Sequence, residues 1–216
     1  MNPPVIGGQT ATLETLRIGD HECRLYRVPS LDRLVDEIDP VEFERDERMP
    51  YWAELWPSGI ALGTMLAARR SLRGVRLLEL GCGLGLPSIV AARMGANVTA
   101  TDYFLEALDL LAANAALNGV KLTTGLLDWR AAAAVGQFDL VVAADVLYEP
   151  WQVERIVEML RGTVAANGRA IVVDPDRATA RQFASAATFR GFRVTESPLA
   201  DTSGRTRMIR YDLTWR

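Results

Sequence analysis

The stretch LLELGCGLGLP, Leu77 to Pro87, decides how the rest of the chain is read. An apolar run stops at three glycines in alternate positions, Gly81, Gly83 and Gly85, and an apolar segment with helical spacing continues from Pro87 to Met94. A buried strand that enters a helix through a glycine-rich turn predicts the ligand-binding corner of an open α/β sheet. Lacking side chains, Gly81 and Gly83 allow a tight bend and the close approach of a ligand; a turn needed only for packing is the competing explanation.

The same alternation continues outward from that corner. Helices are expected over Ser58–Arg70, with Pro57 near the start, Leu105–Leu117, ending near Asn118-Gly119, Trp151–Val164 and Arg177–Phe189. Strands are expected over Val75–Leu80, Asn97–Thr101, Lys121–Leu127, Phe138–Ala144 and Arg169–Val173. Strands separated by helices pair in parallel through right-handed crossovers, which predicts a doubly wound sheet. The finish differs: Phe192–Pro198 and Arg207–Trp215 have only the polar loop Ala200–Arg205 between them, so they predict an antiparallel C-terminal hairpin at the edge. The fold class is therefore α/β, a seven-stranded sheet that is mostly parallel.

Before this core, two alternating segments flank Gly19-Asp20 and predict a β-hairpin. An acid-rich stretch follows, Leu31 to Met49, with Asp32, Asp36, Glu37, Asp39, Glu42, Glu44, Asp46 and Glu47 against Arg33, Arg45 and Arg48; it reads as a solvated face. We divide the chain into an N-terminal extension, residues 1–50, and a Rossmann-like domain, residues 51–216. No internal repeat is evident, and the one low-complexity tract is Ala131–Ala134.

Composition narrows the function classes. The 216 residues are 49% hydrophobic and 24% charged with a net charge of -3, which suits one soluble globular domain and gives no basic footprint for nucleic acid. Cys23, Cys82 and the single histidine, His21, are too few for a disulfide framework, a zinc site or a Ser-His or Cys-His catalytic pair. The N-terminus lacks the pattern of a signal peptide, and no apolar run approaches the roughly 20 residues that span a bilayer. A cytoplasmic protein without nucleic-acid or membrane partners is expected.

Asp102 closes the strand after the glycine loop, where an acid can accept both hydroxyls of a ribose. The loop is not the dinucleotide fingerprint G-x-G-x-x-G, because Leu86 follows Gly85 and the third glycine arrives one residue early. Its spacing, E-x-G-x-G-x-G from Glu79, resembles the cofactor loop of the seven-stranded S-adenosylmethionine-dependent methyltransferases, whose sheet also ends in an antiparallel hairpin. That resemblance implies that Gly81, Cys82, Gly83 and Gly85 pass beneath the methionine and ribose, and that Asp102 holds the ribose. It places Asp128 and Trp129, in LLDW, at the adenine amino group and ring, Tyr103 on the other adenine face, and Ala144 beside the cofactor; a buried aromatic that merely packs is the alternative for Trp129. Glu79 meets the methionine amino group, directly or through water, or caps adjacent backbone.

PYWAELWPSG, Pro50 to Gly59, followed by the glycine loop and FDLVVAADVLYEP, is further similar to the protein lysine methyltransferases marked by D-x-x-Y after the fourth strand, here Asp145-Val146-Leu147-Tyr148. The resemblance runs from about Tyr51 to Val173 and implies methylation of a lysine side chain in a protein. It gives Asp145 the task of positioning the amine and Tyr148 a hydroxyl contact or an aromatic wall; an N-cap is the alternative for Asp145. Trp52 and Trp56, four apart, would share one face of a helical turn and either close the cofactor pocket or simply pack. Cys82 reads as a small filler, with no base to activate it.

Methyl transfer from a sulfonium is an in-line displacement, so orientation of the nucleophile dominates. A small-molecule amine methyltransferase and a non-catalytic scaffold remain open alternatives. A nucleic-acid amino methyltransferase would resemble D-P-P-Y, and Val146 and Leu147 replace both prolines. A dehydrogenase is opposed by the loop spacing and the final hairpin.

Overall fold

Turn chemistry at Gly19, in the left-handed region at φ +58, folds strand β3 (Thr12–Ile18) back on β4 (His21–Arg27), with Ile18 opposite His21 as the last pair. A shorter pair, β1 (Val5–Ile6) with β2 (Gln9–Thr10), precedes it. The computed structural model describes residues 2–39, 41, 43, 49–131, 135–200 and 207–216. Of the acid-rich stretch, Leu31–Asp36 forms helix α1, capped by the Ser30 side chain, which accepts the Arg33 N–H. Glu42, Glu44, Arg45, Asp46, Glu47 and Arg48 lie outside the described residues, as do residues 132–134 of the alanine run and 201–205 of the C-terminal loop.

From Pro57 the chain alternates helix and strand: α2 (Pro57–Ala67), β5 (Arg76–Leu80), α3 (Leu86–Arg93), β6 (Asn97–Asp102), α4 (Leu105–Leu117) and β7 (Thr123–Leu126). After it come β8 (Phe138–Ala144), α5 (Pro150–Thr163), β9 (Val164–Asp174), α6 (Phe183–Phe189), β10 (Phe192–Ala200) and β11 (Arg207–Trp215). Single 3-10 turns occupy Tyr51–Ala53 and Thr179–Gln182, the second taking the front half of what sequence periodicity predicts as one helix from Arg177.

Strands β5 to β11 form one seven-stranded sheet in the order β7-β6-β5-β8-β9-β11-β10. The pairs among β5 to β9 are parallel, and β11 runs antiparallel to both β9 and β10. The last strand is thus inserted inside the sheet and β10 forms the edge. The expected hairpin is present, but only one of its strands opposes the others.

Central strands buried on both faces read as continuous apolar runs. Leu77, Val142 and Ile171 face one core with Leu62 and Leu86 from α2 and α3. Leu78, Leu80, Val141 and Val172 face the other with Ile156, Leu160 and Phe183 from α5 and α6. The N-terminal hairpin adds Ile18, Cys23 and Leu25 to the first core. Backbone donors on β4 reach α4: Asn114 Oδ1 accepts the Tyr26 N–H at 2.6 Å and Asn118 Oδ1 the Arg24 N–H at 3.0 Å.

One boundary departs clearly from expectation. Helix α5 runs into β9 without a loop, and the β8/β9 register shifts between Phe138 and Leu140. A Cβ on Gly168 would lie 2.7 Å from the Phe138 carbonyl oxygen, so glycine is required where the bulge brings the backbones together. Sheet order reverses between β5 and β8, and a crevice opens beyond the carboxyl ends of strands at such a switch point.

Candidate active site

The residues that leave β5 set the floor of this crevice. Gly81, Gly83 and Gly85 adopt φ of +67, +48 and +79, conformations that residues with a Cβ rarely take. A Cβ on Gly83 would stand 3.1 Å from the Trp52 carbonyl oxygen, and one on Gly85 would overlap Leu111 of α4. The glycines therefore admit the protein's own neighbours as well as leaving open space, and at Gly85 packing is the stronger demand.

A cavity of about 540 Å³ lies above this loop, within the range typical of small-molecule sites. Each of the fourteen residues singled out from the sequence lines it, from Trp52 on one side to Tyr148 on the other. Among the described residues no group of histidine, cysteine, aspartate and glutamate has the arrangement of a metal centre.

Asp102, at the end of β6, is buried, and burial raises its carboxyl above the usual range against the pull of three backbone donors. Its Oδ2 accepts the Gly83 N–H at 2.9 Å, and its Oδ1 accepts those of Tyr103 at 2.7 Å and Phe104 at 3.1 Å. The acid thus clips the glycine loop to the next turn. A carboxylate offers roughly four lone-pair sites, so capacity for a ligand hydroxyl remains.

Glu79 projects from β5 into a dry environment and accepts a hydrogen bond from the Ser88 hydroxyl at the start of α3. Burial pushes its carboxyl up to about 8. At neutral pH it is largely protonated, and a cation entering the cavity would favour its ionisation. Cys82 is fully enclosed and burial raises its thiol, as befits an unreactive filler.

On the β7 side Arg130 joins two of the selected residues. Its guanidinium pairs with Asp128, Nη2 to Oδ2 at 2.9 Å, donates to the Tyr103 hydroxyl, and lies 4.9 Å from the centre of the Tyr103 ring. Trp129 completes this wall, its Nε1 buried without a hydrogen-bond partner among the described residues. Arg130 was not legible as a site residue, although it directly follows Asp128 and Trp129.

Trp52 and Trp56 do not share a helical face. Trp52 lies in the 3-10 turn and packs against Phe104, whereas Trp56 is extended and caps α2. Proline at position 57 disfavours helical geometry for the residue before it, which explains the break. Both still line the cavity, and the Trp56 Nε1 donates to the Tyr51 carbonyl at 2.9 Å. Tyr51, also missed as a site residue, meets Tyr148 edge-on at 5.3 Å and Trp56 at 6.1 Å. Its signal was present in the aromatic run Tyr51, Trp52, Trp56.

Asp145 follows β8 with φ +59, one of two positive-φ residues other than glycine among those described. It is 8% exposed. Its Oδ1 pairs with Arg177 at 2.8 Å and its Oδ2 is buried with no hydrogen-bond partner among the described residues. It does not cap the following helix: Glu149 occupies the N-cap of α5, and its N–H donates to Gln152 Oε1 at 2.9 Å. Tyr148 is largely buried, which raises its phenol, and its side chain bonds Gln152.

A family model described as lysine methyltransferase matches residues 37–186, more than half of the chain. The electron transfer flavoprotein beta subunit lysine methyltransferase of Xenopus laevis is 33% identical over 174 residues, 76% of this chain and 66% of that protein. The human histone-arginine methyltransferase METTL23 is 35% identical over 112 residues, 48% of this chain and 58% of that protein. The chain spans between half and two thirds of the length of these curated relatives. Among solved structures, a ribosomal protein L11 methylase from Lactobacillus delbrueckii subsp. bulgaricus superposes with a TM-score of 0.59 at 21% identity, covering 72% of this chain and 77% of that one. At that identity the likeness is one of fold.

Proposed function

The chain belongs to the lysine methyltransferase family, and on that premise we propose that it transfers a methyl group from S-adenosylmethionine to the side-chain amine of a lysine in a protein. The observation that carries this reading is Asp145: a buried carboxylate, held in left-handed backbone at the mouth of the switch point, with one oxygen unpartnered among the described residues, in a cavity that Tyr51, Trp56 and Tyr148 also line. A buried polar atom without a partner carries a cost, and a ligand that supplies the partner accounts for it.

The residues present suit the cofactor. Asp102 has capacity for ribose hydroxyls, Tyr103 and Trp129 offer faces for an adenine ring, and Asp128, steadied by Arg130, can accept from the adenine amino group. Glu79 gives a protonated carboxyl that can ionise against a cationic amino group. Gly81, Cys82, Gly83 and Gly85 form the bed, Ala144 leaves room at the end of β8, and Trp52 closes one side. When bound, S-adenosylmethionine supplies an electrophilic methyl carbon on a sulfonium.

A lysine acceptor is favoured over arginine by the state of Asp145. Oδ1 is already taken by Arg177, so the carboxylate offers one oxygen, which suits a single N–H and not the two-point fork of a guanidinium. The relatives named for lysine methylation support a protein acceptor. Two free cysteines, both buried, accord with a cytoplasmic setting. Incubation with methyl-tritiated S-adenosylmethionine and cell extract tests the reading. A labelled protein whose hydrolysate contains methyllysine, absent with Asp145→Ala, is expected; label confined to small molecules or to methylarginine contradicts it.

A further inference from the structure

Behind Asp145 lies a charge arrangement that methyl transfer alone does not explain. Arg177 bridges two carboxylates, with Nη2 2.8 Å from Asp145 Oδ1 and Nη1 3.0 Å from Asp174 Oδ2. Its backbone N–H also donates to Asp174 Oδ1 at 2.8 Å. Asp174 ends β9 and is completely buried; burial pushes its carboxyl up, and the Arg177 contacts pull it back. The turn that returns Arg177 towards β8 passes through Asp176 at φ +58, matching the +59 of Asp145. Asp176 itself pairs with Arg207, Nε to Oδ2 at 3.4 Å, so it flanks this ion cluster without joining it. Strained backbone of this kind persists where the surroundings over-determine it.

A lysine amine makes opposing demands on such a site. It attacks only when neutral, yet its solution pKa is about 10.4. A lone buried carboxylate beside it would stabilise the ammonium form, whereas aromatic walls favour the neutral amine but give it no direction. Resting on the acceptor reading above, we propose that Arg177 is a positioning residue that occupies the charge of Asp145, so that Oδ2 orients an incoming lysine amine as a hydrogen-bond acceptor without holding it as an ammonium ion. The ammonium gives one proton to water; the nitrogen lone pair then forms the N–C bond as the C–S bond breaks. The positive charge passes from sulfur to nitrogen, and the methylated amine is released as its ammonium or loses a further proton to water.

Other titratable groups near Asp145 do not substitute for this cation. Tyr148 and Glu149 share its loop, Tyr51 comes from the aromatic turn, and Glu79 and Asp102 end β5 and β6. All are neutral or acidic. Arg130, across the cavity, is paired with Asp128.

The test uses the full chain and its Arg177→Gln and Arg177→Lys variants, with two readouts. The first is the rate of tritium transfer to the extract protein that the parent labels, followed from neutral pH to about pH 9.5. The second is the affinity for n-butylammonium at neutral pH with S-adenosylhomocysteine saturating. Arg177→Gln is expected to bind n-butylammonium several-fold more tightly, to transfer more slowly at neutral pH, and to recover as pH rises, its profile displaced upwards by about one unit. Arg177→Lys should follow the parent. A uniform fall in rate at every pH, with n-butylammonium bound no more tightly by Arg177→Gln, overturns the proposal. If Arg177→Gln does not fold, Asp174→Asn decides: Arg177 then serves Asp145 alone, and the profile should move to lower pH, whereas an upward move overturns the proposal. Should the parent label no protein, the acceptor reading fails, and the n-butylammonium comparison still decides the part assigned to Arg177.

Discussion

A carboxyl group at the end of a central strand must either pair or stay protonated, and Glu79 does mostly the second. Its folded value of about 8 lies above the 4.5 of an ordinary glutamate, so between these values the native state binds more protons than the unfolded chain. The stability this group contributes is present below pH 4.5 and is lost by about pH 8. Glu79→Gln, which mimics the protonated form, should therefore gain melting temperature relative to the parent at about pH 9 compared with about pH 5; an unchanged difference would contradict the protonation assigned here. Gly85 tests packing in the same loop. Gly85→Ala should cost about 2 kcal/mol or more, because the new methyl group overlaps Leu111 and the backbone is left-handed; combining it with Leu111→Ala should show non-additivity in urea melts. The glycines and the acids were legible as residues because each ends or follows a strand. That Asp102 clips the glycine loop, or that Gly85 makes way for α4, was not, since both depend on neighbours distant in sequence.

Among the elements, the junction of β8 and α5 is where the proposed function puts the acceptor. Gln152 accepts from the Glu149 N–H, which fixes the helix start, and its side chain also stands against the Tyr148 phenol. Gln152→Ala should lower stability by about 1 kcal/mol, the usual worth of a cap, in chemical denaturation. It should also reduce methyl transfer while leaving S-adenosylhomocysteine affinity unchanged. The spans of α4, β8 and β11 agree with sequence periodicity to the residue. The insertion of β11 between β9 and β10 escaped it, because a hairpin states that two strands pair and not which one the sheet receives. The split of the Trp52–Trp56 segment had a local signal in Pro57, and the β9 bulge had one in Gly168. Arg177 had none within its own segment: it reads as the start of a helix, and its partner Asp145 follows β8, more than thirty residues earlier.

At the scale of the whole molecule, sheet order explains why residues scattered from Trp52 to Tyr148 meet in one cavity. From Glu79 to Tyr148 they lie at or just beyond the carboxyl ends of strands on both sides of the switch point, so topology carries them to the same end of the sheet, where the segment holding Trp52 and Trp56 meets them. This is why most of the cavity lining is legible in the sequence, Trp52 and Trp56 included, while Tyr51 in the aromatic turn and Arg177 behind β8 are not. A ligand that binds only the native state, present at 100 times its dissociation constant, adds about 2.7 kcal/mol. S-adenosylhomocysteine should accordingly raise the melting temperature, and NAD should not.

In the proposed function one cavity divides its labour, with cofactor held from the β5 and β6 ends and the acceptor amine met from the β8 end. Calorimetric titration of S-adenosylhomocysteine into the parent, Asp102→Ala and Asp145→Ala tests it most directly. Asp102→Ala should weaken binding by tenfold or more, through the lost hydroxyl contacts and the loosened Gly83 clip, on the order of 1.4 kcal/mol. Asp145→Ala should bind as the parent does, yet fail to methylate protein. Equal losses in both variants, or parent-like binding by Asp102→Ala, would contradict the account.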